Sequence, residues 1–131
     1  MIKVRIKKDS DIVAKIVLID KENKILFLKR SDFHKKHPGE LDLPGGHLKE
    51  DESLSKGLAR EVKEETGLDI KNPIYFKKVG NKHFYYGKCT SKDIKLSKEH
   101  SDHGFYDKSE LDPSKKFEKI AIEVMEKIEN D

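Results

Sequence analysis

Cysteine is nearly absent from this 131-residue chain: Cys89 stands alone, so no disulfide can form within it. That removes the class of small secreted scaffolds stapled by disulfides and points to a reducing, cytoplasmic setting. Long apolar runs are missing as well. The most apolar early stretch, residues 12–19, is interrupted by Lys15, and nothing approaches the ~20 apolar residues of a membrane span. Neither a signal segment, an internal repeat nor a low-complexity linker is visible, and the length suits one domain. Arginine is scarce: of 28 basic residues only Arg5, Arg30 and Arg60 are arginine. Because arginine is the rigid fork for carboxylate and phosphate while lysine is a flexible point charge, the positions of those few arginines carry information.

Charge is abundant, at 40% of residues, yet the formal net charge is only +3 and is spread along the chain. This balance tolerates anionic ligands without demanding nucleic acid. Hydrophobic residues make up 34%, enough for a core. Ile2, Val4 and Ile6 alternate with cations, as a half-buried strand does. Residues 12–19 read as a more buried strand, 20–24 as a turn, and 25–28 as its hairpin partner. Residues 31–44 are irregular, and a long loop inside a compact domain tends to be functional. A helix is expected over 52–66, with Leu54, Leu58 and Val62 as its apolar stripe, Ser53 as cap and Gly67 as its left-handed stop. Strands are expected over 74–79 and 83–89, and a polar loop over 97–104. A last helix is expected to be capped by Asp112 with Pro113 at its first position, burying Phe117, Ile120, Ala121, Val124 and Ile128. Strands and helices in this order make an α/β domain with a mixed sheet between helices.

The 52–66 helix carries an unusual charge pattern. At about 100° per residue, Glu61, Glu64 and Glu65 share an arc of roughly 100°. Glu61 and Glu65 repel as i, i+4 neighbours, and both lie in the half of the helix where the macrodipole disfavours anions. A divalent cation among them would reverse both penalties, and hard oxygen ligands suit Mg²⁺ or Mn²⁺. A solvated face with i, i+4 pairs such as Arg60–Glu64 is the plainer explanation.

The surrounding pattern decides between them. Gly46, Glu52, Arg60-Glu61-Val62, Glu64-Glu65 and Gly67-Leu68 occupy nine specified positions at fixed spacing. This stretch resembles the Nudix box of the Nudix hydrolases, small MutT-like members in particular, and no position of the box departs from the pattern. The preceding "LDLPGG" and the element order extend the likeness to most of the chain. The resemblance implies a Nudix fold, an α/β/α sandwich with a mixed β-sheet between helices, as a single domain over 1–131. It implies Mg²⁺, or Mn²⁺, held by Glu61, Glu64, Glu65 and the carbonyl of Gly46. Arg60 looks like the residue that holds a neighbouring catalytic glutamate, and Glu52 like an anchor of the loop-helix structure. Glu61 is the first candidate for the general base, with Glu99 and Asp102 as loop candidates. Arg30, Gly45 and Gly46 are the expected substrate contacts.

The implied reaction is hydrolysis of a phosphoanhydride in a nucleoside diphosphate linked to another moiety. A small nucleotide such as a nucleoside triphosphate, oxidised or not, is the first choice. ADP-ribose or a dinucleotide, an RNA 5′ end, and a non-catalytic sensor on the same fold are the alternatives. RNA is possible but not favoured, no membrane is involved, and the chain is a monomer or homodimer. A diphosphate isomerase would need further residues, and a calcium protein of the EF-hand type does not match the spacing. His34, His37, His47, His100 and His103 follow no ordered zinc-ligand spacing and read as solvated loop histidines. Phe33, Phe84, Tyr85, Tyr86 and Phe105 could stack a base, although strand aromatics usually serve the core. Many relatives carry tryptophan where this chain has Leu41, which cannot stack a base in the same way.

Overall fold

The computed structural model describes residues 8–31 and 40–131. The strand expected over residues 2–6, and Phe33, His34 and His37 of the expected loop, lie outside them.

The apolar run after Ser10 forms β1 (Asp9–Ile19), which alternates between two cores. Ala14, Ile16 and Leu18 face one side of the sheet, and Val17 the other. A turn with Asn23 in the left-handed region (φ 62°) leads into β2 (Ile25–Arg30). There Leu26 and Leu28 join the first core, and Ile25 and Phe27 the second. Strands buried on both faces in this way need cover on both sides, and helices supply it.

After β3 (Leu41–Asp42) and β4 (Gly45–Lys49), helix α1 (Leu54–Thr66) packs Leu58 and Val62 onto the first core. It begins two residues later than the sequence suggests, but its caps are those expected. Ser53 accepts a hydrogen bond from the Lys56 N–H, and Gly67 (φ 77°) closes the helix by donating its N–H to the Lys63 carbonyl.

A hairpin turning at Gly80 joins β5 (Ile74–Val79) to β6 (Lys82–Lys88), and β6 runs parallel to β1 along residues 13–19. Next comes β7 (His100–Tyr106), antiparallel to β2. The expected loop over 97–104 is therefore in large part strand. Its polar residues belong to an outer strand laid on a buried one, so backbone pairing rather than side-chain hydrophobicity fixes it.

A 3-10 turn (Lys108–Glu110) precedes α2 (Lys116–Asn130), which packs Ile120, Ala121, Val124 and Met125 on the second core. Here the expected start is corrected. Asp112 accepts from the Ser114 N–H and hydroxyl in a local turn, and the helix opens after Lys115, which makes no side-chain cap. The Asx-type turn consumed the capping group that the sequence offered to a helix. At the far end Ile128 is 37% exposed, outside the core it was expected to join.

The sheet order is β3-β2-β1-β6-β5, with β4 added to β1 and β7 to β2. It is mixed and lies between two helices, as the sequence implied.

Candidate active site

Strand β1 places the site. Lys15 points from it toward the α2 side and is 5% exposed. Its Nζ donates to Asp42 Oδ1 at 2.8 Å and to the Leu43 and Gly45 carbonyls at 3.0 and 3.4 Å, and it lies 5.0 Å from the centre of the Phe117 ring. Asp42, on β3, is met on its other oxygen by His100 Nε2 at 3.0 Å and Arg30 at 3.4 Å. Burial opposes its charge, but Lys15, His100 and Arg30 outweigh burial and hold the carboxyl below its ordinary range.

Beside this group β4 crosses β1, with Gly46 opposite Ala14 and Gly45 opposite Lys15. Gly45 (φ 126°) is in a region that side chains rarely tolerate, and a Cβ there would run into the Ala14 carbonyl oxygen. At Gly46 a Cβ would lie 2.7 Å from Glu61 Oε2. Gly45 therefore lets β4 lie close against β1, and Gly46 leaves room for the Glu61 carboxylate beside the β4 backbone. The Gly45 N–H donates to Glu65 Oε1 at 2.7 Å.

Glu65 is 5% exposed, a buried carboxylate beside the apolar stripe of its helix. Burial pushes it up to about 8, against the help of Lys15 and the Gly45 N–H, while Asp42 and Glu61 push it further. Burial also raises Glu61, with Glu64 and Glu99 adding to the effect and Arg60 opposing it.

Arg60 organises the remaining acids. Its Nε donates to Glu52 Oε2 at 2.8 Å and its Nη2 to Glu52 Oε1 at 3.0 Å, a two-pronged pairing that lysine could not make. Nη1 reaches Glu61 at 3.2 Å and both Glu64 oxygens at 3.1 Å, and Nη2 also donates to the His47 carbonyl. Glu52 in turn accepts the Lys49 N–H at 2.8 Å, tying the β4 end to α1. The plainer i, i+4 pairing of Arg60 with Glu64 is thus present, as one arm of a larger arrangement.

Glu61, Glu65 and Glu99 line a cleft of about 810 Å³ with Arg30, Gly45, Gly46 and Leu41. Lys82, Lys115, Lys116 and Phe117 line it as well. Lys82 is lowered by burial and by the nearby Lys116 charge. Glu64 stands outside the main cleft, in a smaller one of about 290 Å³ with Glu61, Glu65, Ser97, Lys98 and Glu99. Donor atoms of Glu65, Glu99 and His100 all lie within 4.8 Å of one another. Asp102 is on β7 opposite Lys29, with its carboxylate on the His103 N–H and away from the residues lining the cleft.

His100 corrects the reading of the histidines as solvated, because it is 5% exposed and bonded to Asp42. Among the strand aromatics, Phe84 is fully buried and Tyr85 nearly so, which commits both to the core. Lys15, Asp42 and Phe117 are not among the site residues that the sequence pattern marks. The signal for Lys15 was present: it is the one charge inside the apolar run of β1.

The NUDIX domain model matches residues 10–126, which include every element named here apart from the two ends. The chain belongs to the Nudix hydrolase family. This Nudix chain is 45% identical over 51 residues to an ADP-ribose pyrophosphatase of Methanocaldococcus jannaschii, covering 39% of this chain and 29% of that protein. It is 42% identical over 62 residues to the NAD-capped RNA hydrolase NudC of Vibrio atlanticus, covering 47% of this chain and 22% of that protein. The matched stretch thus spans less than a third of the length of either curated relative. Its structure resembles the MutT protein of Methanosarcina mazei Go1, with a TM-score of 0.72 and 25% identity over 92% of this chain and 95% of that one. Among the described residues no helix is long and apolar enough to cross a membrane.

Proposed function

We propose that the chain is a single Nudix domain and a divalent-metal-dependent hydrolase that cleaves a phosphoanhydride in a nucleoside diphosphate linked to another moiety. One observation carries the reading: the α1 carboxylates Glu61 and Glu65 share one cleft with Arg30, Lys82, Lys115 and Lys116. The acids alone would repel a diphosphate, and the lysines alone would bind it without attacking it.

The donor set fits a hard divalent ion, Mg²⁺ or Mn²⁺. Glu65 is buried with its charge opposed by burial, and a cation at its free oxygen would relieve that cost. Glu61, Glu64, Glu65, Glu99 and the Gly46 carbonyl are the groups that would share in holding it. When bound, such an ion supplies neutralisation of phosphate charge and acidification of a water.

The chain's own residues do the rest. Glu61, raised by burial and lying against Gly46, accepts the proton of the attacking water on Oε2. Arg60 fixes Glu61 and Glu64 and stays cationic, because its bonds to Glu52 raise its own pKa. Arg30 and the cleft lysines orient the phosphates for in-line attack.

Several basic groups in one cleft favour a substrate with many phosphate charges, a nucleoside triphosphate, cut to a nucleoside monophosphate and pyrophosphate. The second reading, ADP-ribose or a dinucleotide, is favoured by the names of the two curated relatives. A panel of nucleotides with Mg²⁺ or Mn²⁺ separates them by product: pyrophosphate from a triphosphate, or AMP with a ribose phosphate from ADP-ribose. No metal-dependent hydrolysis of either class would overturn the proposal.

A further inference from the structure

We infer that His100 is a nitrogen ligand in this site and that the Glu65–Glu99–His100 group selects a first-row transition ion such as Mn²⁺ over Mg²⁺. The inference rests on the proposed function for the presence of an ion, and adds the ion's identity and a ligand outside the Nudix box.

His100 Nε2 lies 3.0 Å from Asp42 Oδ2, while Lys15 takes the other oxygen of that carboxylate, so Asp42 engages one side of the ring and leaves Nδ1 on the other. That Nδ1 is buried and has no hydrogen-bond partner among the described residues, in a side chain only 2% exposed. A buried polar atom without a partner is costly, so the arrangement calls for something to occupy Nδ1.

What lies nearby is acidic. One ring nitrogen of His100 is within 4.8 Å of carboxylate oxygens of both Glu65 and Glu99. Two ligands of one small ion sit at most about 4.2 Å apart, so the group needs only small movements to close on a cation. Ser97 Oγ, whose residue lines the smaller cleft, is also buried without a partner among the described residues. A carboxylate gripping the far nitrogen of an imidazole is the arrangement that orients metal-ligating histidines and strengthens them as donors. Asp42 stands in that place. Its 2.8 Å contact to Lys15 holds it there.

Carboxylates and water suit Mg²⁺ as well as Mn²⁺. An imidazole nitrogen favours first-row transition ions over Mg²⁺, and Mn²⁺ is the one among them that shares the preference of Mg²⁺ for carboxylates and water.

The test is pulsed electron paramagnetic resonance of the protein loaded with Mn²⁺, with calorimetric titration of Mn²⁺ and Mg²⁺. The expected result is a ¹⁴N coupling in the wild type that changes on ¹⁵N-histidine labelling and vanishes in His100→Gln. Mn²⁺ affinity should fall about tenfold in that variant, with Mg²⁺ affinity changed less than about twofold. A wild-type spectrum showing bound Mn²⁺ without nitrogen coupling would overturn the inference, whether or not the variant folds. So would a coupling that survives in His100→Gln. Metal-dependent hydrolysis with oxygen-only ligation would leave the proposed function standing and remove this inference. Nitrogen coupling without any hydrolysis of the nucleotide panel would do the reverse.

Discussion

Two charge clusters meet in the same cleft, and they are balanced in opposite ways. Around Asp42 a single buried carboxylate is surrounded by Lys15, Arg30 and His100, so both oxygens are met and the acid stays ionised. Around Glu65, further acids crowd in, and burial drives the buried one up to about 8. Both clusters hang on β1 and its neighbours, and the chain as a whole is close to neutral for its size. The local imbalance is what separates them. Asp42 is completed from within the chain and serves as a brace. Glu65 is left with its charge opposed by burial and by neighbouring acids, as a protein does where a ligand is to finish the arrangement.

That contrast can be broken from either side. Asp42→Ala leaves Lys15 buried without its partner and should cost about 3–5 kcal/mol, lowering Tm by roughly 10 °C or more. A thermal melt checks this, and a loss under about 1 kcal/mol would deny the bracing role. Glu65→Gln should do the opposite. Its charge is already a burden in the metal-free protein, so Tm should hold or rise, while turnover falls roughly a hundredfold or more. Melts and initial rates on one preparation read both effects.

Gly46→Ala is a finer probe. The added Cβ displaces the Glu61 carboxylate without disturbing the core, so kcat should fall roughly tenfold with stability little changed.

The smallest effect is in pH. Glu52 is depressed by its bonds to Arg60, so its contribution to stability is complete above its unfolded value near 4.5 and is lost as pH falls through its folded one. Acid melts should show Tm falling below about pH 4.5, and Glu52→Gln should flatten that fall. Stability that is instead lost on raising the pH from about 5 to about 7, and restored by Glu52→Gln, would reverse the sign and the assignment.

Much of this was legible before the fold was known. The α1 stripe, Ser53 and Gly67 are local signals, and local physics obeyed them. The box acids stood out because like charges at that spacing oppose helix formation unless something offsets them. What the sequence hid depends on contacts between distant residues. β7 is polar and becomes a strand because β2 offers it a ladder. Asp112 could cap a helix or close a turn, and only the packing of α2 decides between them. His100 is 58 residues from Asp42 in the chain, and no spacing rule joins a lone histidine to a carboxylate that far off. Lys15 alone gave a hint, as a charge in an apolar strand that needed an acid from elsewhere.

The central claim is that the acid surplus on α1 exists to hold a divalent cation against a phosphoanhydride. Crystals grown with Mn²⁺ and a non-hydrolysable nucleotide test it by anomalous scattering. The account predicts an anomalous peak among Glu61, Glu65 and Glu99, with phosphate oxygens on the side of Lys82 and Lys116. A peak elsewhere, or nucleotide bound in the cleft with no ion on those acids, would contradict it.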